Sequence, residues 1–157
     1  MPDYKTLLDS IQDQTSRPPE IVTSLGLPGI TEWSPGQVRS LITPAAYLAG
    51  SVGLFGGYLA MITDTMATHV SMTLLDDDEW IVTTELDMRF NKALRTESIA
   101  AIATASRDED SIVCRVEYRS ADAAVGQVPG AVGVVVERVR STRIDSRGDH
   151  DWNNTSS

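Results

Sequence analysis

The chain has 157 residues and a mass of 17.0 kDa, and its 22 acidic against 13 basic side chains give a formal net charge of -9. That length fits one domain able to bury roughly 70% of its unfolded surface, and 41% apolar with 22% charged residues excludes wholesale disorder. The acidic balance argues against a nucleic-acid binder, whose footprint is a basic face. The single cysteine, Cys114, excludes an intramolecular disulfide and a thiolate-rich metal site. The opening Met-Pro-Asp-Tyr-Lys-Thr-Leu-Leu lacks the basic-then-apolar layout of a secretion signal, so the expected address is cytoplasmic, with no membrane partner.

Residues 3 to 13 place Tyr4, Leu7, Leu8 and Ile11 on one helical face behind a plausible N-cap, Asp3. Pro18-Pro19 closes this segment, read as a docking helix and linker over residues 1 to 19. Residues 20 to 36 carry Gly26, Pro28, Gly29, Pro35 and Gly36, which predicts short extended pieces around Ile30 to Trp33 and a Ser-Pro-Gly turn rather than a helix. Gln37 to Thr43 alternates Val38, Ser40 and Ile42 against Arg39 and Leu41, the pattern of a half-buried strand.

From Gly57 to Leu74 there is no proline or internal glycine, and at about 1.5 Å per residue the segment makes a helix of roughly 27 Å. Leu59, Ile62, Met66 and Val70 form its apolar stripe, and Ala60, Met61, Ala67 and Leu74 widen it nearly all round. Thr63, Asp64, Thr65, Thr68 and His69 interrupt it too often for a membrane span. Asp64 is the anomaly, because a carboxylate in a buried helix costs several kcal/mol unless it is paired, solvated or used. Gly56 and Gly57 let a ligand approach the backbone closely, and free amides at a helix start attract anionic oxygen.

Asp76-Asp77-Asp78-Glu79 lacks the spacing and turn glycine of a calcium loop and reads as a solvated turn. Strands are expected at 80 to 91, with Val82, Thr84, Leu86, Met88 and Phe90 on one face, and at 97 to 107, with Ile99, Ala101, Ala103 and Ala105 inward. Two more follow at 111 to 119, with Ile112, Cys114, Val116 and Tyr118 inward, and at 131 to 138, buried on both faces. Short turns between these strands imply an antiparallel sheet with the long helix packed on it. Residues 141 to 157 lose all pattern and are expected to form a mobile tail, in which Arg147-Gly148-Asp149 and Asn154-Thr155-Ser156 carry no adhesion or glycosylation role at a cytoplasmic address.

A long buried helix opened by two glycines, followed by a strand reading Thr-Thr-Glu-Leu-Asp-Met-Arg-Phe, resembles the hotdog-fold acyl-CoA thioesterases of the PaaI-like branch, in the 4-hydroxybenzoyl-CoA thioesterase superfamily. In that family His-Gly-Gly opens the helix, an Asp-Thr-Ala run places its Asp nine residues after the His, and the next strand carries Thr-x-Glu-Leu-x-x-x-Phe. Phe55-Gly56-Gly57, Asp64-Thr65-Met66, and Thr83-Thr84-Glu85-Leu86 with Phe90 keep that spacing. The resemblance covers residues 20 to 140 and implies an α+β hotdog fold, an antiparallel sheet wrapped around one long central helix, in a homodimer or dimer of dimers.

It further implies hydrolysis of an acyl-CoA thioester, with coenzyme A as part of the substrate and no other cofactor. By analogy the Gly56 amide polarises the carbonyl, and Asp64 of the partner subunit acts as nucleophile or as general base for water. Thr83 matches a water-orienting hydroxyl, although simple alternation turns it away from Leu86 and Met88. Phe55 replaces the family's His and would line an acyl pocket beside Gly57, and the Asn or Gln that relatives carry earlier falls near Ala49, with Ser51 its polar neighbour. Lys92 and Arg95, with Arg138 and Arg140, are candidate cations for the pantetheine nucleotide. His69, about 140° round the helix from Asp64, reads as a core histidine. Two rival functions are a non-catalytic acyl-CoA-binding module and a hydroxyacyl-thioester dehydratase, which would need a histidine where the chain offers His69 and His150.

Overall fold

The computed structural model describes residues 3–141 except 96 and 125; the tail motifs and His150 lie outside the described residues. Helix α1 (Tyr4–Gln12) begins as its sequence predicts, with the Asp3 carboxylate accepting from the amides of Lys5 and Thr6. Its Tyr4 and Leu8 are buried, and it packs on the long helix. Residues 20 to 36 depart from the extended reading, because Glu20–Ser24 closes one turn, α2. The proline and glycines lie outside that turn rather than within it: Pro19 caps it, its carbonyl accepting from Val22 and Thr23, and Gly26 ends it with a left-handed φ of 59°.

Strand β1 (Glu32–Ser34) then turns through Pro35-Gly36 into β2 (Gln37–Ile42), with Ser34 opposite Gln37. Gly36 takes the positive φ of 74° that a Pro-Gly turn demands. A two-stranded hairpin, β3 (Ala49–Gly50) and β4 (Gly53–Leu54), leads into α3 (Gly56–Met72). After α3 come β5 (Glu79–Phe90), β6 (Ile99–Asp108), β7 (Ser111–Ser120) and β8 (Ala131–Ser141). The six-stranded sheet has the order β1-β2-β6-β7-β8-β5, with every pairing antiparallel. β5 is therefore an edge strand although it is central in sequence.

Helix α3 lies across one face of this sheet and touches β2, β5, β6, β7 and β8. Leu59, Ile62, Met66 and Val70 are buried in one core with Val38, Ile99, Ala101, Ala103, Ile112, Cys114, Val116 and Val135. Cys114 has the core position its alternation assigned. The helix packs tightly on Gly133 of β8, where a Cβ would overlap the Thr63 methyl and come within 2.9 Å of Met88 Sδ. Thr63 donates to the Leu59 carbonyl (2.8 Å), and the Tyr118 hydroxyl lies 2.7 Å from Thr63 Oγ1. A fully buried helix face is thus locked to the sheet by a satisfied polar contact.

Two sequence expectations fail along β5. The alternation of Val82, Thr84, Leu86, Met88 and Phe90 holds from Leu86 onward, but the register jumps between Thr83, opposite Glu137, and Glu85, opposite Val136. Thr84 is the extra residue of a β-bulge, so Ile81 and Thr83 share the helix side with Leu86 and Met88. Ile81 packs on the core while Val82 is exposed. The acidic run is not uniformly solvated either: Glu79 makes a two-pronged bond with Arg107, both contacts 2.6 Å, and its carbonyl accepts from the Tyr4 hydroxyl. Arg107 also donates to the Leu74 carbonyl, so the fourth acid ties the end of the long helix to β5 and β6.

No described helix is long and apolar enough to cross a membrane. Replacing Gly133 by alanine should lower stability by about 1–3 kcal/mol, because Thr63 and Met88 have to move. Denaturant unfolding should show a reduced midpoint at an unchanged slope.

Candidate active site

Phe55 is the N-cap of α3 and provides no side-chain cap, so the amides of Gly56 and Gly57 at the helix start have no intrahelical or side-chain acceptor among the described residues. Two phenyl rings flank them. Phe90, at the end of β5, would lie 3.1 Å from a Cβ at Gly56, and the Phe55 ring crowds the corresponding position at Gly57 at 2.6 Å. Both rings are more than half exposed, Phe55 at 66% and Phe90 at 56%. The first turn is a pair of donors set between apolar walls, and the aligned helix peptides add partial positive charge there.

Asp64 lies about two turns further on and is half-buried. Its Oδ1 accepts from the Thr83 hydroxyl at 2.9 Å. That bond exists because of the bulge at Thr84, which returns Thr83 to the helix side of the sheet. Simple alternation hid the contact, and a pair of threonines before Glu85 offered no local mark of the extra residue.

The remaining predicted cations separate. Lys92 and Arg95 are exposed on the loop after β5. That loop is tied beside the entry to α3, since the Leu54 amide donates to the Leu94 carbonyl at 2.8 Å and Gly53 packs on Ala93. Arg138 and Arg140 sit toward the opposite end of β8, with Arg138 bound to Asp110 at 2.9 Å and Arg140 opposite Trp80. They do not join Gly56. Among the described residues no group of three or more His, Cys, Asp or Glu is placed to hold a metal.

No family model matches this chain, and no curated protein matches it in sequence. Solved structures do. A thioesterase of Haemophilus influenzae superposes with a TM-score of 0.71 at 15% identity, covering 88% of this chain and 94% of its own. A phenylacetic acid degradation-related protein of Ralstonia eutropha gives 0.68 at 16% identity over 83% and 98%, and AziG of S. sahachiroi gives 0.67 at 21% over 78% and 97%. The chain has the hotdog fold. In this hotdog the uncapped turn and the Asp64–Thr83 pair occupy the start and the middle of the central helix.

A buried polar group under that helix escaped the sequence reading. Glu137 of β8, read there as part of an apolar strand, is fully buried. Its Oε2 accepts from the Ser71 hydroxyl and lies 3.7 Å from the Cys114 thiol, while Oε1 has no partner among the described residues. Burial raises its pKa, and the negative charge of Asp64 adds to the rise. Burial also pushes the Cys114 thiol up to about 12, so it is an inert core group.

His69 is half-buried on α3. Its Nδ1 is buried without a partner among the described residues, and burial holds its pKa down at about 4. The unfolded chain protonates this ring near 6.5 whereas the folded chain does not until about pH 4, so its contribution to stability is present above 6.5 and is lost as pH falls between those values. Thermal melts should show that loss as on the order of 1–3 kcal/mol in the wild type, and His69→Asn should flatten the difference between pH 7 and pH 4.5.

Proposed function

We propose that this hotdog chain is an acyl-CoA thioesterase that works as a homodimer, hydrolysing a fatty or aryl acyl-CoA. The observation that carries this reading is the split of two complementary groups along one helix. Gly56 and Asp64 are eight residues apart, which sets the amide and the carboxylate about 12 Å from each other within a chain. Groups acting on one carbonyl carbon have to converge to roughly 3–3.5 Å contacts. Two copies arranged about a twofold axis bring the Gly56 amide of one helix to Asp64 of the partner subunit and build two equal sites.

The free edge supports that arrangement. β5 presents a twelve-residue strand with Trp80, Val82, Leu86 and Phe90 exposed, a surface that isolated proteins blunt or cover. Asp64 and Thr83 lie along this same edge. Support from comparison is of a coarser kind: several proteins of this fold are thioesterases by name, including those of Haemophilus influenzae and Pseudomonas aeruginosa.

In the proposed reaction the thioester carbonyl oxygen sits on the Gly56 amide, where a fixed donor aimed at the developing oxyanion contributes roughly 2.7–4 kcal/mol. Asp64, held by Thr83, removes a proton from water as the water oxygen bonds to the carbonyl carbon. Collapse of the tetrahedral intermediate breaks the carbon–sulfur bond, Asp64 returns its proton to the leaving sulfur, and the carboxylic acid and coenzyme A thiol are released. Phe55 and Phe90 wall the acyl group, and Lys92 and Arg95, on the loop beside the helix start, meet the nucleotide phosphates.

Asp64→Asn should fold and dimerise normally yet lose about 100-fold or more in kcat, read as thiol released from acyl-CoAs of increasing chain length. Thr83→Val should cost about tenfold, with Thr83→Ser retaining most of the rate. Equal turnover in Asp64→Asn, or a monomer of full activity in sedimentation, would defeat the proposal. Phe55 in place of a polar donor favours a second reading, an acyl-CoA-binding module without turnover, which tight binding and no released thiol would select.

A further inference from the structure

Glu137 is a buried carboxyl with one oxygen unsatisfied, and among the described residues only it and His69 keep a buried side-chain polar atom without a partner. Its surroundings are specific. From α3 it meets the Ser71 hydroxyl, and Asp64, seven residues earlier, projects from the same side of that helix. From β7 it faces Ile112 across the ladder and the Cys114 thiol, which stays neutral. From β5 its cross-strand neighbour is Thr83, the residue that holds Asp64. No positive side chain enters this cluster among the contacts described.

We propose that Glu137 is a positioning residue for Asp64: it keeps its proton inside the sheet so that the two carboxyls carry one negative charge, on Asp64, and its ionisation silences the site. Oε2 is the acceptor for Ser71 and the thiol, so the proton resides on the unpaired Oε1. Loss of that proton would put a second anion, without a counter-charge, beside the Thr83–Asp64 pair. A second uncompensated anion beside that pair is costly, and Asp64 relieves it by leaving the Thr83 hydroxyl. That change misplaces the base. The catalytic half of this inference rests on the thioesterase reading; the sharing of one charge does not.

The test is a carboxyl carbon NMR titration of the 13C-labelled protein, wild type and Asp64→Asn, with thiol-release kinetics of the wild type and Glu137→Gln across the same pH range. Glu137 should titrate above the ordinary 4.5. Removing the charge in Asp64→Asn should lower its midpoint by about half a unit or more. Wild-type kcat should fall as Glu137 ionises, and the ratio of Glu137→Gln to wild-type kcat should rise about tenfold over that fall. A Glu137 midpoint in the usual carboxylate range, one indifferent to Asp64→Asn, or a kcat ratio independent of pH would overturn the proposal. Coupled carboxyls in a protein that hydrolyses no acyl-CoA would sustain the shared charge and defeat the thioesterase reading instead. The titration does not depend on whether Glu137→Gln folds.

Discussion

The contact of Thr63 with the bare backbone of Gly133 sets the geometry of everything around it. A threonine fits between helix and sheet because β8 has no side chain there, and its hydroxyl is satisfied by Leu59 and Tyr118. That fixes the rotation of α3 about its own axis. The next residue, Asp64, is then turned toward the edge strand, while Ile62 and Met66 stay in the core. A helix apolar on nearly all sides could otherwise roll without much loss of buried area. Specificity here comes from one polar interlock and one missing side chain.

Much of the architecture was legible because period and punctuation agreed. Asp3 before an apolar face gave α1, Ser34-Pro35-Gly36 gave a hairpin, and Ile112, Cys114, Val116 and Tyr118 gave a strand whose four inward residues are all buried. What alternation could not show was a break in itself. A bulge adds a residue without changing composition, so Thr83 and Thr84 look alike in the sequence while one holds Asp64 and the other bonds the Val136 carbonyl. Register is set by the partner strand, and the partner is 54 residues away. The same non-locality concealed α2, where five unremarkable residues close one turn between a proline and a glycine.

Glu137 eluded sequence reading for a different reason. Within Val134-Val135-Val136-Glu137-Arg138 the valine run sets the reading and hides the acid at its end, beside an Arg138 that reaches outward to Asp110. Strand parity sends its neighbour inward. Desolvation then favours the neutral form of the carboxyl, and the hydroxyl of Ser71 and thiol of Cys114 lie against it. A core containing three such groups trades hydrophobic stabilisation for a defined polar arrangement directly under the candidate base.

The position of β8 at the far end of the described chain has a consequence for biogenesis. α3 leaves the ribosome ahead of β5, β6, β7 and β8, the four strands after it that cover it, and the Tyr4 hydroxyl waits for a carbonyl 75 residues downstream. Gly133, the inward Glu137 and the ladder that creates the bulge all arrive with β8. Until then an apolar helix and an unmatched β5 are open to other nascent chains. Competence to bind Asp64 to Thr83 therefore waits for β8, the last described strand to be made.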